Sequence, residues 1–190
     1  MSLLTSLISP IQTPTDAHIA AIAEARVGGE DPTPYPITPV SGGSIAAWPG
    51  GNQGIFVKFR LGRGRHAVGL RVPVGTPSGN AKVALYASDG TTATQIALSA
   101  STALTATNDF QEIPFAAAVD LVTFTDYYGF LAVDNATATF YRLTFGAGGI
   151  AADLGYAVIT NVFTTPPATQ TVSGLTTGAA SGYTPVLALY

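Results

Sequence analysis

The chain is predicted to be all-β, an antiparallel β-sandwich or jelly roll of about ten short strands. Beyond Gly54, apolar and polar side chains alternate with a period of two, which is the period of a strand that buries one face. Turn residues divide these runs, since the 190 residues include 21 Gly and 13 Pro. No helical pattern separates successive runs in this region. Because parallel strands need such crossovers, a parallel α/β fold is excluded.

The chain before the strands is predicted to be a separate anchoring segment, 1–49, that is helical and then Pro-rich. A helix is expected over about Asp16–Val27, because Pro14–Asp16 offers capping residues and Gly28–Gly29 a stop. From Glu30 to Pro49, five prolines favour an extended strap. Apolar side chains at helical spacing are the predicted anchors, and they are Leu3, Leu4, Leu7, Ile8, Ile19 and Ile22.

The strands are assigned to one domain, 50–190. Alternation is clearest in Ile55–Leu61, where the odd-numbered residues are apolar and share one face. Lys58 and Arg60 share the opposite face. One face of this strand is therefore predicted to be buried, with Val57 pointing inward.

A second strand, Ala81–Ala87, is predicted to turn Leu85 inward and Lys82 outward. Asp89–Gly90 then predicts a hairpin turn that leads into Thr92–Leu98. The remaining strands are expected at His66–Val72, Phe110–Phe115, Val119–Phe124, Tyr128–Asp134, Thr137–Phe145, Gly155–Phe163, Thr169–Val172 and Pro185–Tyr190.

The composition offers little material for catalysis. Only 10% of the residues are charged, two are His and none is Cys, so no catalytic residue, cofactor or metal site is predicted.

A net charge of −3 argues against nucleic acid as a partner. A hydrophobic fraction of 47% with so few charges favours a surface covered by copies of the chain or by a larger assembly. No run is long enough to insert in a membrane, and Met1–Gln12 lacks the pattern of a secretory signal.

The stretch Arg60–His66 is strongly basic. Together with the nearby Lys58 and Arg71, its arginines make up five of the eight Lys and Arg residues of the chain. One interpretation is a solvated turn between two strands, with the glycines there for turn geometry. The other is that Arg63 and Arg65 contact an acidic partner, and among such partners a neighbouring subunit is favoured over nucleic acid.

Acidic residues and histidines receive structural interpretations. The carboxylates beyond residue 88 all lie next to predicted turns, so turn capping is favoured over a glycosidase pair or a calcium site. His18 and His66 have no further ligands at metal spacing. Among the aromatics, Tyr128 and Tyr141 are candidates to stack on sugar rings if their strands expose them, and are otherwise core or subunit contacts.

Three motifs carry a family resemblance. Lys82–Gly90 (KVALYASDG), Tyr127–Asn135 (YYGFLAVDN) and Pro185–Tyr190 (PVLALY) resemble, in texture and order, the β-sandwich modules of tailed-phage virion proteins. Those proteins are tail fibres, minor tail proteins, head fibres or spikes, and capsid decorations. The Pro-rich strap after a helix likewise resembles their particle-docking regions. The resemblance covers 54–190.

The resemblance implies a non-enzymatic structural protein on the outside of a phage or phage-like particle. The segment 1–49 would anchor it to other virion proteins, and the sandwich would project as a symmetric oligomer able to touch host-surface polysaccharide. A stand-alone carbohydrate-binding module is the alternative, and a small glycan hydrolase is a third possibility.

Overall fold

The computed structural model describes residues 44–143, 157–172, 184–185 and 187–190. They are almost entirely β and form two antiparallel sheets that pack face to face, so the all-β prediction is confirmed. The predicted helix and most of the Pro-rich strap, with all six anchoring residues, lie outside the described residues.

Thirteen strands lie within the described residues. They are β1 (Ser44–Ala47), β2 (Gln53–Arg60), β3 (Arg65–Val74), β4 (Asn80–Ser88), β5 (Thr92–Leu98), β6 (Thr102–Ala103), β7 (Asp109–Leu121), β8 (Asp126–Val133), β9 (Thr139–Leu143), β10 (Ala157–Ile159), β11 (Thr169–Thr171), β12 (Thr184–Pro185) and β13 (Ala188–Leu189).

Sheet I contains β1, β9, β12, β13, β3 and β7. Strands β3 and β9 pair with each other at Val74 and Phe140 and then separate. Strand β12 pairs with β9, and β13 pairs with β3 on the side opposite β7, so the last residues of the chain fill the gap. Backbone bonds between Tyr190 and both Val68 and Gly69 complete this strand position. Sheet I therefore depends on the C-terminal strands for its continuity.

Sheet II has the order β10-β2-β8-β4-β5-β11, with β6 added on β4. The long pairs β2–β8 and β4–β8 place Tyr128 between Lys58 and Tyr86 at its centre. The predicted alternation of β2 and β4 is confirmed, because Ile55 and Leu85 are buried between the sheets while Lys82 lies on the outer face.

The core between the sheets extends to residues that the sequence analysis assigned to the anchoring segment. Strand β1 pairs with β9 from Ser44 to Ala47. The ring of Trp48 is buried with its edge on Phe140, their centroids 5.2 Å apart, and its Nε1 donates to the carbonyl of Gln53 at 3.1 Å. Strand β1 and Trp48 therefore take part in the packing of the sandwich, although they lie within the predicted anchoring segment 1–49.

The outer face of sheet II is buried as well. Residues 160–168, here called the covering segment, connect the edge strands β10 and β11 and lie over it, and Pro167 accepts a hydrogen bond from Tyr86 at 2.7 Å. Lys82 donates to the carbonyl of Thr164 at 2.9 Å and lies 5.3 Å from the ring centre of Phe163. Burial raises the pKa of Tyr86 to about 12. The residues of this second cluster are Phe56, Ala84, Tyr86, Ala93, Tyr128, Phe130, Ala132 and Val162.

The region 109–124 departs from the prediction of two strands. Residues 109–121 form one strand, β7, whose register against β3 passes from the pair Ala67–Val119 directly to Gly69–Pro114, and 122–124 lie in the loop that follows. In the pairing with β3, the four residues 115–118 therefore lie opposite Val68 alone and form a bulge larger than the usual two residues against one. The alternation of apolar and polar side chains is interrupted at the same residues, 116–118, which are all Ala, and this explains why the pattern predicts two strands.

Candidate functional site

Two loops lie side by side at one end of the sandwich. Residues 61–64 connect β2 to β3, and residues 122–125 connect β7 to β8. The paired residues Arg60–Asp126 and Arg65–Leu121 border them, and the amide of Phe124 donates to the carbonyl of Leu61 at 3.1 Å. These are called the apposed loops below. The long strand pairs β2–β8 and β3–β7 flank both loops and fix the position of their side chains.

The predicted basic stretch lies on and beside the apposed loops, but several of its charges are paired within the chain. Lys58 and Arg60 both contact the carboxylate of Asp126, at 2.8 and 3.1 Å. His66 lies 2.7 Å from Asp120. Further along β3, Arg71 pairs with Glu112 at 2.8 Å. Each of these ion pairs joins two neighbouring strands. Much of the positive charge therefore stabilises strand pairing within the two sheets.

Arg63 is exposed in the loop between β2 and β3, and Arg65 is half-buried at the start of β3. This places both arginines at the end of the sandwich where the loop 122–125 lies. Their contact with an acidic partner stays a prediction.

The apposed loops carry an apolar tip that the sequence analysis missed. Phe124 and Val122 are 72% and 61% exposed. The hydroxyl of Tyr127 holds Val122 in place, accepting from its amide at 2.9 Å. The sequence pattern predicts that the strand continues through Phe124. Residues Val122–Thr125 are β-prone, and none of them is a Gly, Asn or Asp of the kind that normally marks a turn.

The backbone of Phe124 is left-handed, with φ of 59°. Such a conformation is strained for a bulky aromatic residue. Within the described ranges, the other non-glycine residues with positive φ are all Asn, the type that tolerates it best, and they are Asn52, Asn108 and Asn161.

For Tyr128, the structure favours the core interpretation over sugar stacking. Tyr128 is 1% exposed and lies in the cluster beneath the covering segment, and burial raises its pKa. Tyr128 lies on the outer face of sheet II, but the covering segment keeps that face out of solvent. Tyr141 is half-buried on the outward side of sheet I, beside Ile45 of β1, and its hydroxyl lies 3.4 Å from Asn108 Oδ1. Sugar stacking by Tyr141 stays a prediction.

The carboxylates of the described residues are committed to turns and ion pairs. Asp89 accepts from the amides of Thr91 and Thr92 at 2.8 and 2.7 Å, which confirms its predicted capping role. Asp109 accepts from the amide of Phe110, and the three ion-paired carboxylates are those given above. In this part of the chain, no three His, Asp or Glu side chains form a group that could hold a metal ion.

Asp134 joins two loops at the opposite end of the sandwich. Its carboxylate accepts from the amide and the side chain of Asn80, at 2.9 and 2.8 Å, and from Asn135 Nδ2 at 2.7 Å. Asn135 Nδ2 also donates to the carbonyl of Ser78 at 2.9 Å. Burial acts to raise the pKa of Asp134, but the hydrogen bonds from Asn80 and Asn135 together outweigh it and hold this pKa below its ordinary value.

We therefore expect Asp134 to make stability depend on pH. A carboxyl group whose pKa is lower in the folded than in the unfolded chain stabilises the fold above its unfolded value of about 3.9, and this contribution is lost as the pH falls through the folded value. Asp134→Asn should be less stable than the wild type at pH 7, and the gap in melting temperature should narrow between about pH 5 and pH 2. A gap that stays constant over this range would contradict the role of the charge.

Comparisons of the chain with protein-family models, with curated proteins and with solved structures find no match. The resemblance to tailed-phage virion modules therefore stays a prediction from the sequence. Among the described residues, no helix is long and apolar enough to cross a membrane.

Proposed function

We propose that this chain is a structural protein on the outside of a phage or phage-like particle, in the position of a tail fibre, head spike or capsid decoration. Its segment 1–49 anchors it through a helix and a Pro-rich strap, although 44–48 also complete the sandwich. Its sandwich, of jelly-roll type, projects outward. Other virion proteins and copies of this chain are its partners, and no catalysis is involved.

The observation that carries the proposal is the use of the charged groups. Asp89, Asp109 and Asp134 hold turns, while Glu112, Asp120 and Asp126 pair with cations on neighbouring strands. A hydrolase of glycans needs two carboxylates held at a defined separation and available to the substrate. Carboxylates that stabilise turns and strand pairing are instead what we expect of a rigid structural module.

The edges of the sheets further support a defined assembly over open-ended strand pairing. Strand β7, at one edge of sheet I, carries Glu112, Pro114 and the bulge at 115–118. Strands β10 and β11, at the edges of sheet II, have three residues each. Short edges, proline and bulges all oppose strand addition from another molecule. Contacts through loops and through the segment 1–49 are therefore favoured.

A stand-alone carbohydrate-binding module is the second candidate, and Tyr141 favours it. The ring lies on the outward side of sheet I, next to the exposed side chain of Ile45. Aromatic rings on such a face can stack on pyranose rings. The same feature would let a particle protein touch host-surface polysaccharide, so sugar binding alone does not separate the two functions.

Deletion of residues 1–27 tests the proposed function. The truncated chain should keep the far-ultraviolet circular dichroism and melting temperature of its sandwich, because the inner core is built from later residues. It should fail to enter particles assembled in the producing cell, as measured by quantitative mass spectrometry of purified particles. Incorporation of the truncated chain at the wild-type level would contradict the anchoring role of these residues. A soluble monomer that binds sugar would support the second candidate, the carbohydrate-binding module.

A further inference from the structure

The apolar tip, Val122 and Phe124, is costly for the folded chain. The left-handed backbone of Phe124 is strained, and its 72% exposure means that little burial offsets the strain. At the other positions with positive φ in the described residues, this chain has Asn or Gly. Asn at position 124 would therefore give the same loop with less backbone strain. The ring of Phe124 adds little to the stability of the fold and is exposed for contact with another molecule.

The tip is presented rigidly. The amide of Phe124 donates to Leu61, and Val122 is held through both its amide and its carbonyl by the hydroxyl of Tyr127, at 2.9 and 3.4 Å. The ring of Tyr127 is itself buried and stacks on Phe59, with centroids 5.8 Å apart. A contact made by a preorganised loop loses less conformational entropy on association.

Charges of both signs surround the tip. Arg63 is exposed on the facing loop, and the side chain of Asp120, next to the end of β7, is 88% exposed even though it is paired with His66, so it can accept a further contact. Asp89 is exposed on the hairpin that follows Ser88, which pairs with Asp126 at the start of β8. In a contact between identical copies related by a two-fold axis, one patch must complement itself. An apolar centre bordered by both a cation and carboxylates meets that requirement.

We propose that Val122 and Phe124 form the contact through which two copies of this chain associate, tip against tip. The apolar side chains pack on each other, and Arg63 of each copy faces the carboxylate border of the other. A second copy fits better than a flat sugar ring, because two exposed side chains on a tight loop make a convex surface. The inference deepens the proposed symmetric oligomer and rests on the proposed function only for the oligomer's place in the particle.

Phe124→Asn in the full-length chain tests the contact. Sedimentation velocity over a range of concentrations should show that the wild type associates and that the dissociation constant of the variant is at least tenfold higher. The melting temperature at a fixed low concentration should be unchanged or higher, because Asn relieves the backbone strain. A purely structural role for Phe124 would instead lower the melting temperature.

Two further variants sharpen the test. Ile96→Thr removes an apolar side chain that is 38% exposed in the middle of β5, and it should leave association unchanged. Replacing Arg63 and Arg65 by Ser should weaken association most at low ionic strength, because salt already screens the wild-type contact at high ionic strength.

Several results would overturn the contact. They are a wild type that stays monomeric at every concentration, association that Phe124→Asn leaves intact, and a monomer whose binding to a polysaccharide requires Phe124. Particle incorporation is measured separately, so failure of the contact and failure of the proposed function are distinguishable. A Phe124→Asn chain that is monomeric in solution yet enters particles would retain both proposals.

Discussion

Leu85→Ala should lower the free energy of unfolding by about 2 to 5 kcal/mol, because it removes buried methyl groups and leaves a cavity. Leu85 is fully buried in the core between the sheets, on the central strand β4, which pairs with β8 on one side and β5 on the other. Surrounding ladders limit how far the core can collapse into the space. Denaturant unfolding followed by fluorescence or circular dichroism measures the effect.

Lys82→Ala is the matched control on the opposite face of the same strand. It loses the hydrogen bond to Thr164 and the contact with the ring of Phe163, both in the covering segment. Its cost should stay below about 1 kcal/mol, since exposed interactions of this kind contribute little. Equal losses for the two variants would mean that the register of β4 is shifted by one residue.

Gly79→Ala should cost about 2 to 4 kcal/mol, from backbone strain and from broken hydrogen bonds. Gly79 has φ of 65°, and an added Cβ would collide with Asn135 Nδ2 and Asp134 Oδ1. Those atoms cannot move freely, because they bind the amide of Asn80 and the carbonyl of Ser78. The substitution therefore disrupts the cluster that joins two loops.

Gly90→Ala separates the two contributions. Gly90 also has positive φ, 94°, but an added Cβ would meet nothing within 4 Å. This variant reports the cost of the backbone conformation alone, about 1 kcal/mol. Thermal melts of both variants at pH 7 should therefore show the larger loss for Gly79→Ala. If the two losses are the same, the cluster around Asp134 adds nothing to stability.

Local patterns predicted the strands well. Alternation located β2 and β4 and the inward faces of Ile55 and Leu85, because one buried face imposes a period of two. Asp89–Gly90 predicted its hairpin correctly, since Gly90 supplies a positive φ and Asp89 caps the turn. These features depend on residues that are neighbours in the sequence.

Features that depend on distant residues were not predictable. The sequence left open whether Tyr128 is buried or exposed, because the residues that cover its face, 160–168, belong to a later part of the chain. Strand β1 was missed because its pairing with β9 decides its conformation, while prolines and glycines nearby suggested a strap. The site at the apposed loops required both kinds of information, since Arg63 is visible in the sequence and the exposure of Phe124 is not.

Antibody labelling of intact particles tests the proposed function most directly. An antibody raised against residues 44–190, coupled to gold, should decorate the outside of particles purified from the producing cells by density gradient, with no need to disrupt them. Mass spectrometry of the same fraction should detect the chain. Particles that remain unlabelled, together with recovery of the chain only from the soluble fraction, would contradict the proposal that it is a surface component of a particle.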